Sequence, residues 1–297
     1  MQSMRLPILV VVVAASAWGL FWIPLRTFEA NGLAAGWATL AIFATPAVLL
    51  APPAVWRLAH DRPVGAGNAV TGLFVGGAAA LYSESVFLTD VARALILFYV
   101  TPIWSTILEW ALLKQQPTRA RLLALVLGVA GLVTILGGRT GIPVPQNSGD
   151  SLALLAGIFW AYGALRIRAS AHIETFETVF SFFLYGSLVA LIVALIPFEA
   201  NGRAPTWLEL ERLLPWLILS AAGFLIPVMW GLLWGSKHID PGRLGILLQL
   251  EAVVGIGSAA ILTDEPFGLV ELLGTAFVAG AGLLDVLGER RSAAGAD

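Results

Sequence analysis

The sequence predicts an all-α integral membrane protein of ten transmembrane helices, built as two inverted five-helix repeats with the N- and C-termini cytoplasmic. Three observations carry that fold class. Of 297 residues, 58% are hydrophobic and only 12% charged, whereas about a quarter are charged in an ordinary soluble domain. The apolar residues fall in runs close to the ~20 needed to cross a hydrocarbon core. Residues of the first half also recur, in order, in the second.

In chain order, the apolar segments are 7–25, 34–54, 68–88, 92–112, 120–137, 151–167, 176–197, 213–235, 243–262 and 267–287. Arg5 followed by a run ending in AASA has the outline of a signal peptide. The internal repeat needs this segment as a span, so it is read as retained. The longest connections are Gly137–Asp150 and Phe198–Arg212. The latter leads into WLELERLLPW, which reads as a short amphipathic piece lying on the surface. The expected organisation is a first repeat at 1–137, a linker at 138–150, a second repeat at 151–288 and a cytoplasmic tail at 289–297.

Orientation follows from lysine and arginine, which favour the cytoplasmic side. With the N-terminus inside, the inner loops and ends hold Arg5, Arg57, Arg62, Lys114, Arg119, Arg121, Arg166, Arg168, Lys237, Arg243, Arg290 and Arg291, while five arginines fall outside. An even number of spans with both ends inside is the topology that this favours.

The halves match at several points. AASAWGLFW aligns with AGIFWAYGA, pairing Trp18 with Trp160, and the same shift pairs Arg26 with Arg168. LKQQPT aligns with LTDEPF, pairing Pro117 with Pro266 and Gly131 with Gly280, and Asp90 and Arg93 answer to Asp240 and Arg243. Five spans per half is an odd number, so the halves insert with opposite orientation. Carriers built this way bind solute near the midplane, between the repeats. The WG-type start of each half, with QQPT and DEPF after each fourth span, resembles the drug/metabolite transporter superfamily, EamA-type. The chain departs from that pattern at Gln116, where an acidic residue is usual, and at Glu251, where a proline is common; Pro102 keeps the proline in the first half. A glutamate there, with the aromatic content, is similar to the aromatic amino-acid exporters of the superfamily. The resemblance implies export of small metabolites across a bacterial inner membrane.

The most informative stretch is LGILLQLEAVVGIGSAAIL, Leu244–Leu262, an apolar run with Gln249 and Glu251 inside it. A midplane carboxylate is expensive and faces a cavity or a partner rather than lipid. Glu251 therefore reads as a contact for a substrate ammonium, a proton site or an organiser of the cavity; the plainer reading is a structural hydrogen bond. Glu84, beside Tyr82, Ser83 and Ser85, reads as an outer gate or substrate contact, or as a carboxylate that reaches the interface or pairs with Arg93. Glu109, Glu271 and Asp285 lie near span ends. Tryptophans of an interfacial belt belong at span ends, which fits Trp37, Trp56, Trp110, Trp207 and Trp216. Trp18, Trp22, Trp160, Tyr162, Tyr99, Trp104 and Trp230 lie further in, and read either as a cavity wall for aromatic or cationic solutes or as helix packing. Pro46, Pro102 and Pro227 fall within spans; for Pro102 and Pro227 the carbonyls freed are those of Phe98 and Gly223. Gly72/Gly76, Ala124/Gly128 and Ala276/Gly280 are small-residue pairs for close helix contact, assigned within the chain, which suits a monomer.

Several classes are disfavoured. A net charge of −2 supplies no basic face for nucleic acid, and the absence of cysteine rules out disulfides, thiolate metal sites and a cysteine nucleophile. His60, His172 and His238 fall near span ends, no HExxH or P-loop occurs, and Ser258 has no histidine at its depth. No enzyme, metal or cofactor is expected. The partners expected are the lipid bilayer and a small-molecule substrate, most plausibly amino acids including aromatic ones; drugs or quaternary ammonium compounds are the alternative cargo. A channel or an enzyme acting on lipid is the remaining option.

Overall fold

The computed structural model describes residues 5–60, 64, 68–114, 119–137, 144–169, 173–196, 201–239, 241–264 and 267–294. Several residues named above lie outside what is described: Arg62, Gln116, Pro117, 138–143, His172, Asp240, Pro266 and 295–297, and the side chains of Arg5, Pro102, Glu109, Arg121, Arg168, Arg243, Gln249, Asp285, Arg290 and Arg291.

All regular structure among the described residues is helical: α1 (Arg5–Gly19), α2 (Trp22–Ala30), α3 (Ala35–Leu58), α4 (Ala69–Leu88), α5 (Val91–Phe98), α6 (Thr101–Leu113), α7 (Arg119–Gly137), α8 (Ser148–Ala169), α9 (Thr175–Ala194), α10 (Trp207–Ser220), a π-helical turn Ala221–Leu225, α11 (Ile226–Ser236), α12 (Pro241–Leu262) and α13 (Leu269–Ala294). Seven stretches among the described residues are long and apolar enough to cross a membrane: Leu6–Ala30, Ala35–Leu58, Ala69–Leu88, Val91–Leu112, Ser148–Ile167, Thr175–Ala194 and Trp207–Ser236. Leu122–Gly131, Leu250–Leu262 and Leu269–Leu284 are shorter apolar helices, in the places of the fifth, ninth and tenth segments. WLELERLLPW is not a separate surface piece. It opens α10, which runs on through the π turn into α11. A capping box explains where that helix begins, since the Thr206 hydroxyl accepts from the Glu209 N–H and the Glu209 carboxylate accepts from the Thr206 N–H.

Proline explains the interruptions. A proline has no N–H for the carbonyl four residues back. The Leu20 carbonyl, freed by Pro24, accepts from the Ile23 N–H at 3.0 Å where α1 gives way to α2. The Phe98 carbonyl, freed by Pro102, accepts from the Thr101 hydroxyl at 2.7 Å where α5 gives way to α6. The π turn lies just before Pro227 and re-spaces the backbone there. α3 instead continues through Pro46, Pro52 and Pro53. The first break was absent from the sequence reading, which took 7–25 as one helix and passed over Pro24.

The contacts interleave the two halves. α4 packs on α8 and α9, α3 on α9, α5 on α8 and α12, α1 on α11 and α12, and α7 on α13. Glycines set the closest of these. A Cβ on Gly76 would lie 2.2 Å from the Phe182 carbonyl oxygen and 2.8 Å from the Gly186 nitrogen. One on Gly131 would lie 2.7 Å from a Val278 methyl. The small-residue stripes of α4 and α7 thus serve contacts inside the chain. At one end of the bundle Asn201 accepts from the Gly36 N–H at 3.0 Å and donates to the Val193 and Ile196 carbonyls, each at 2.8 Å, tying the start of α3 to the end of α9. At the other end Arg57 bonds Glu174 at 2.8 Å and lies 5.0 Å over the Phe176 ring.

Gly76→Leu forces α4 and α9 apart, and overpacking of this kind costs about 1–3 kcal/mol or more. A clear fall in the detergent melting temperature is expected. Gly257→Ala, where a new Cβ meets nothing within 4 Å, leaves it unchanged or slightly raised.

Candidate functional site

The site is built where the broken fourth span meets α12. The cap residue of α5 is Tyr99, at φ −74° and ψ 4°. From there its phenol lies beside the Glu251 carboxylate of α12. α12 runs unbroken through Glu251, so the phenol beside the carboxylate comes from a neighbouring element. Glu251, Gly255 and Ser258 share one face of α12, since steps of four and seven residues return near the same direction at about 100° per residue. Along that face α12 meets α1 closely. A Cβ on Gly19 would lie 2.6 Å from the Glu251 carbonyl oxygen and 2.9 Å from the Gly255 nitrogen. One on Gly255 would lie 2.8 Å from Leu95 of α5. Further along, the Trp22 indole donates to the Ser258 hydroxyl at 3.0 Å, and Ser258 donates to the Gly255 carbonyl at 3.0 Å.

Aromatic rings surround Tyr99. Phe98 lies 5.4 Å from Tyr99, 5.3 Å from Tyr82 and 6.2 Å from Trp160. Trp104 stands against Gly157 of α8, where a Cβ would come within 3.5 Å of its indole nitrogen. That nitrogen is buried without a hydrogen-bond partner. Tyr82 and Phe98 are buried, whereas Tyr99, Trp104, Trp160 and Glu251 keep partial exposure between buried neighbours. A carboxylate, a phenol, an indole donor and aromatic faces are the groups that suit a small solute carrying both a cationic and an aromatic part.

Not every expected residue joins this group. Trp18 stacks on Phe21 at 4.5 Å and meets Phe182 edge-on at 6.1 Å, within the aromatic core around Phe43. Tyr162 packs on Phe74 at 4.4 Å, about 200° around α8 from Trp160. Trp230 is 38% exposed on α11. The Gln249 side chain lies outside the described residues.

Glu84 neither reaches an interface nor pairs with Arg93. It is fully buried, and its one described hydrogen bond comes from the Thr39 hydroxyl at 3.2 Å. Arg93 is held by Asp150, with Nε to Oδ1 at 2.7 Å and Nη2 to Oδ2 at 2.8 Å, the two side chains being 4% and 0% exposed. Asp150 also accepts from the Thr89 hydroxyl at 3.1 Å and the Gln146 N–H at 2.8 Å, while Asn147 accepts from the Asp150 N–H at 2.8 Å. The sequence reading missed Asp150. The signal was Asn147-x-x-Asp150 before an apolar run, a variant of the helix-start signature. Thr39 and Ser258 left no comparable signal, since each is a single hydroxyl in an apolar helix. Among the described residues no group of three or more His, Cys, Asp or Glu side chains could hold a metal ion.

The model of the EamA-like transporter family matches residues 5–137 and 147–284. A curated relative, the uncharacterized transporter YetK of Bacillus subtilis (strain 168), is 27% identical over 231 residues, covering 74% of this chain and 67% of that protein. A solved crystal structure aligns with a TM-score of 0.55 and 16% identity over 96% of this chain and 97% of that chain, a likeness of fold alone.

Asp150→Ala leaves the Arg93 guanidinium buried and stripped of its carboxylate, which costs about 3–5 kcal/mol. Detergent unfolding should show that loss. The double change Arg93→Leu with Asp150→Leu should cost less than Asp150→Ala alone.

Proposed function

Since the chain belongs to the EamA-like transporter family, we propose that it is an alternating-access carrier exporting small amphipathic metabolites, most of all amino acids including aromatic ones. The observation that carries this reading is the placement of the Tyr99 phenol beside the Glu251 carboxylate, between the fourth span of one half and its counterpart in the other. The solute binds beside them. Its aromatic or apolar part lies against Tyr99, Trp104 and Trp160. Its ammonium meets Glu251, with Gln249 two residues away along α12. Rocking of the two halves then opens the other side, driven only by the difference in solute affinity between the two states.

The ten-span inverted repeat is part of the proposal. It is supported by contacts that exchange under a swap of the halves: α4 with α8 answers α11 with α1, and α5 with α8 answers α12 with α1. α3–α9, α5–α12 and α7–α13 map onto themselves. Both termini are placed in the cytoplasm by the arginine and lysine distribution, and the membrane is taken to be a bacterial inner membrane. Quaternary ammonium compounds form a second cargo class, favoured by a carboxylate flanked by aromatic faces.

The test is counterflow in proteoliposomes with labelled phenylalanine, other amino acids and quaternary ammonium compounds, run with and without a pH gradient. Saturable phenylalanine counterflow is expected. Tyr99→Phe removes the phenol oxygen beside Glu251 and should reduce it several-fold; Glu251→Gln and Trp160→Ala should each reduce it as well. Wild-type rates in both Glu251→Gln and Trp160→Ala would dismiss the assigned site. Ohmic, unsaturable flux would point to a channel.

A further inference from the structure

We propose that Glu84 is a proton-binding latch on α4: a carboxyl group that stays neutral while α3 and α4 are closed over it, and that ionises only when that contact opens. The proposal rests on the carrier reading, but on no particular substrate.

Its basis is how the side chain is enclosed. Glu84 is 0% exposed, and so are its neighbours Ser83 and Ser85 and its partner Thr39. Oε2 accepts from the Thr39 hydroxyl at 3.2 Å. Oε1 is buried and has no hydrogen-bond partner. An ionised carboxylate offers about four lone-pair sites to donors, and this enclosure supplies one donor. A buried charge left unpaired costs several kcal/mol, whereas a neutral acid with one unsatisfied hydroxyl costs far less. The adjacent hydroxyls do not help, since Ser83 donates to the Ala79 carbonyl at 2.7 Å and Ser85 to the Tyr82 carbonyl at 2.6 Å.

The charged groups on surrounding elements do not offset the burial. α3 presents Thr39, which is neutral. α2 presents Glu29 and Arg26, which bond each other at 3.3 Å. α5 carries Asp90 at its cap position and Arg93, whose guanidinium is engaged bidentately by Asp150 of α8. On α9, Tyr185 packs beside Gly72, twelve residues or about 18 Å along α4 from Glu84. Tyr82, on α4 itself, packs on Phe98. These cations are committed elsewhere, and Arg166 of α8 lies beyond the Gly163–Val75 contact, toward the opposite end of α4.

A latch follows. With the contact closed the group holds a proton. When α3 separates from α4, water reaches Oε1 and Oε2, the proton leaves, and the charged form resists reclosure. In the proposed orientation this is the outer end of the bundle, so alkaline conditions outside favour the open state and acid favours the closed one. Glu251 is separate, since it lies on α12 beside the Tyr99 phenol and keeps partial exposure.

The chain contains no cysteine, so Ser83→Cys, beside Glu84 and likewise 0% exposed, gives a unique reporter of whether this part of α4 opens. Reconstituted protein is labelled with a membrane-impermeant maleimide from mildly acidic to mildly alkaline pH, alone and with Glu84→Gln. Ionisation of the thiol is common to both, and their ratio isolates Glu84. A several-fold greater rise with pH in the Glu84 background is expected, with the Glu84→Gln form protected throughout. Coincident profiles, or free labelling of Glu84→Gln at every pH, overturn the latch. Difference infrared spectra provide a second measurement. The C=O stretch of a protonated carboxyl should vanish in Glu84→Gln and move in Thr39→Val; a band unmoved by Thr39→Val overturns the proposal even if Glu84→Gln fails to fold. Neither experiment reads solute transport, so failure here and failure of counterflow are distinguishable.

Discussion

The structure depends on backbones that meet with almost nothing between them. Gly76 meets the Phe182 carbonyl and Gly186, Gly19 meets the Glu251 carbonyl and Gly255, and Gly157 meets the Phe98 carbonyl. Each contact joins an element of the first half to one of the second. Helices in lipid gain little from the hydrophobic effect between them, so close van der Waals packing has to hold them together. These contacts also do the positioning. Gly19 and Gly255 let α12 sit against α1 and α5, which sets Glu251 beside Tyr99. Gly157 lets α8 close on the broken fourth span, bringing Trp160 to Phe98. Packing and site are therefore one construction.

Buried polar groups divide into two kinds. The Arg93–Asp150 pair has nearly every partner it can use: two guanidinium bonds, a hydroxyl and a backbone N–H converge on one carboxylate. Such a cluster welds the turn between α4 and α5 to the start of α8, and Gly149, whose Cβ would lie 2.7 Å from the Leu88 carbonyl carbon, lets them meet. Glu84 Oε1 and Trp104 Nε1 belong to the other kind, buried and without partners. Satisfied networks rigidify, and unsatisfied groups are where a second state has something to gain. The two kinds lie within a few residues of each other along the chain, a fixed joint beside a group that favours release.

Much of the architecture was legible in the sequence, because lipid leaves so few solutions. An apolar run of span length has to satisfy its backbone internally, so helices follow from composition. Trp18–Trp160 and Pro117–Pro266 carry the proposed duplication, and Pro102 announced the interruption at Phe98. Pro24 does the same at Leu20 and was overlooked, because it stands at the end of a run rather than inside it. The site was legible only in part. Glu251 stood out because a charge in an apolar helix has no bland explanation. Which aromatic residue would reach it did not, because a residue's direction around its helix is fixed by packing. Trp160 and Tyr162 look equivalent in the sequence, yet one meets Phe98 and the other Phe74. Asp150 was hidden for a further reason: its partner lies 57 residues away.

The proposed duplication is most informative where it fails. In the paired fourth and ninth segments the first half has Pro102 and the second has Glu251. The first choice breaks a helix, ends α5 at Phe98 and leaves Tyr99 in a non-helical cap conformation. The second keeps α12 continuous and places a carboxylate in the bundle. Either alone would be a defect, a gap in one helix or a lone charge in another. Together they complement each other, because Tyr99 at the gap comes to lie beside the carboxylate. A strictly symmetric pair, two prolines or two glutamates, would lack either the carboxylate or the phenol at the gap. The departure from symmetry is therefore what sets a carboxylate of one half beside a phenol of the other.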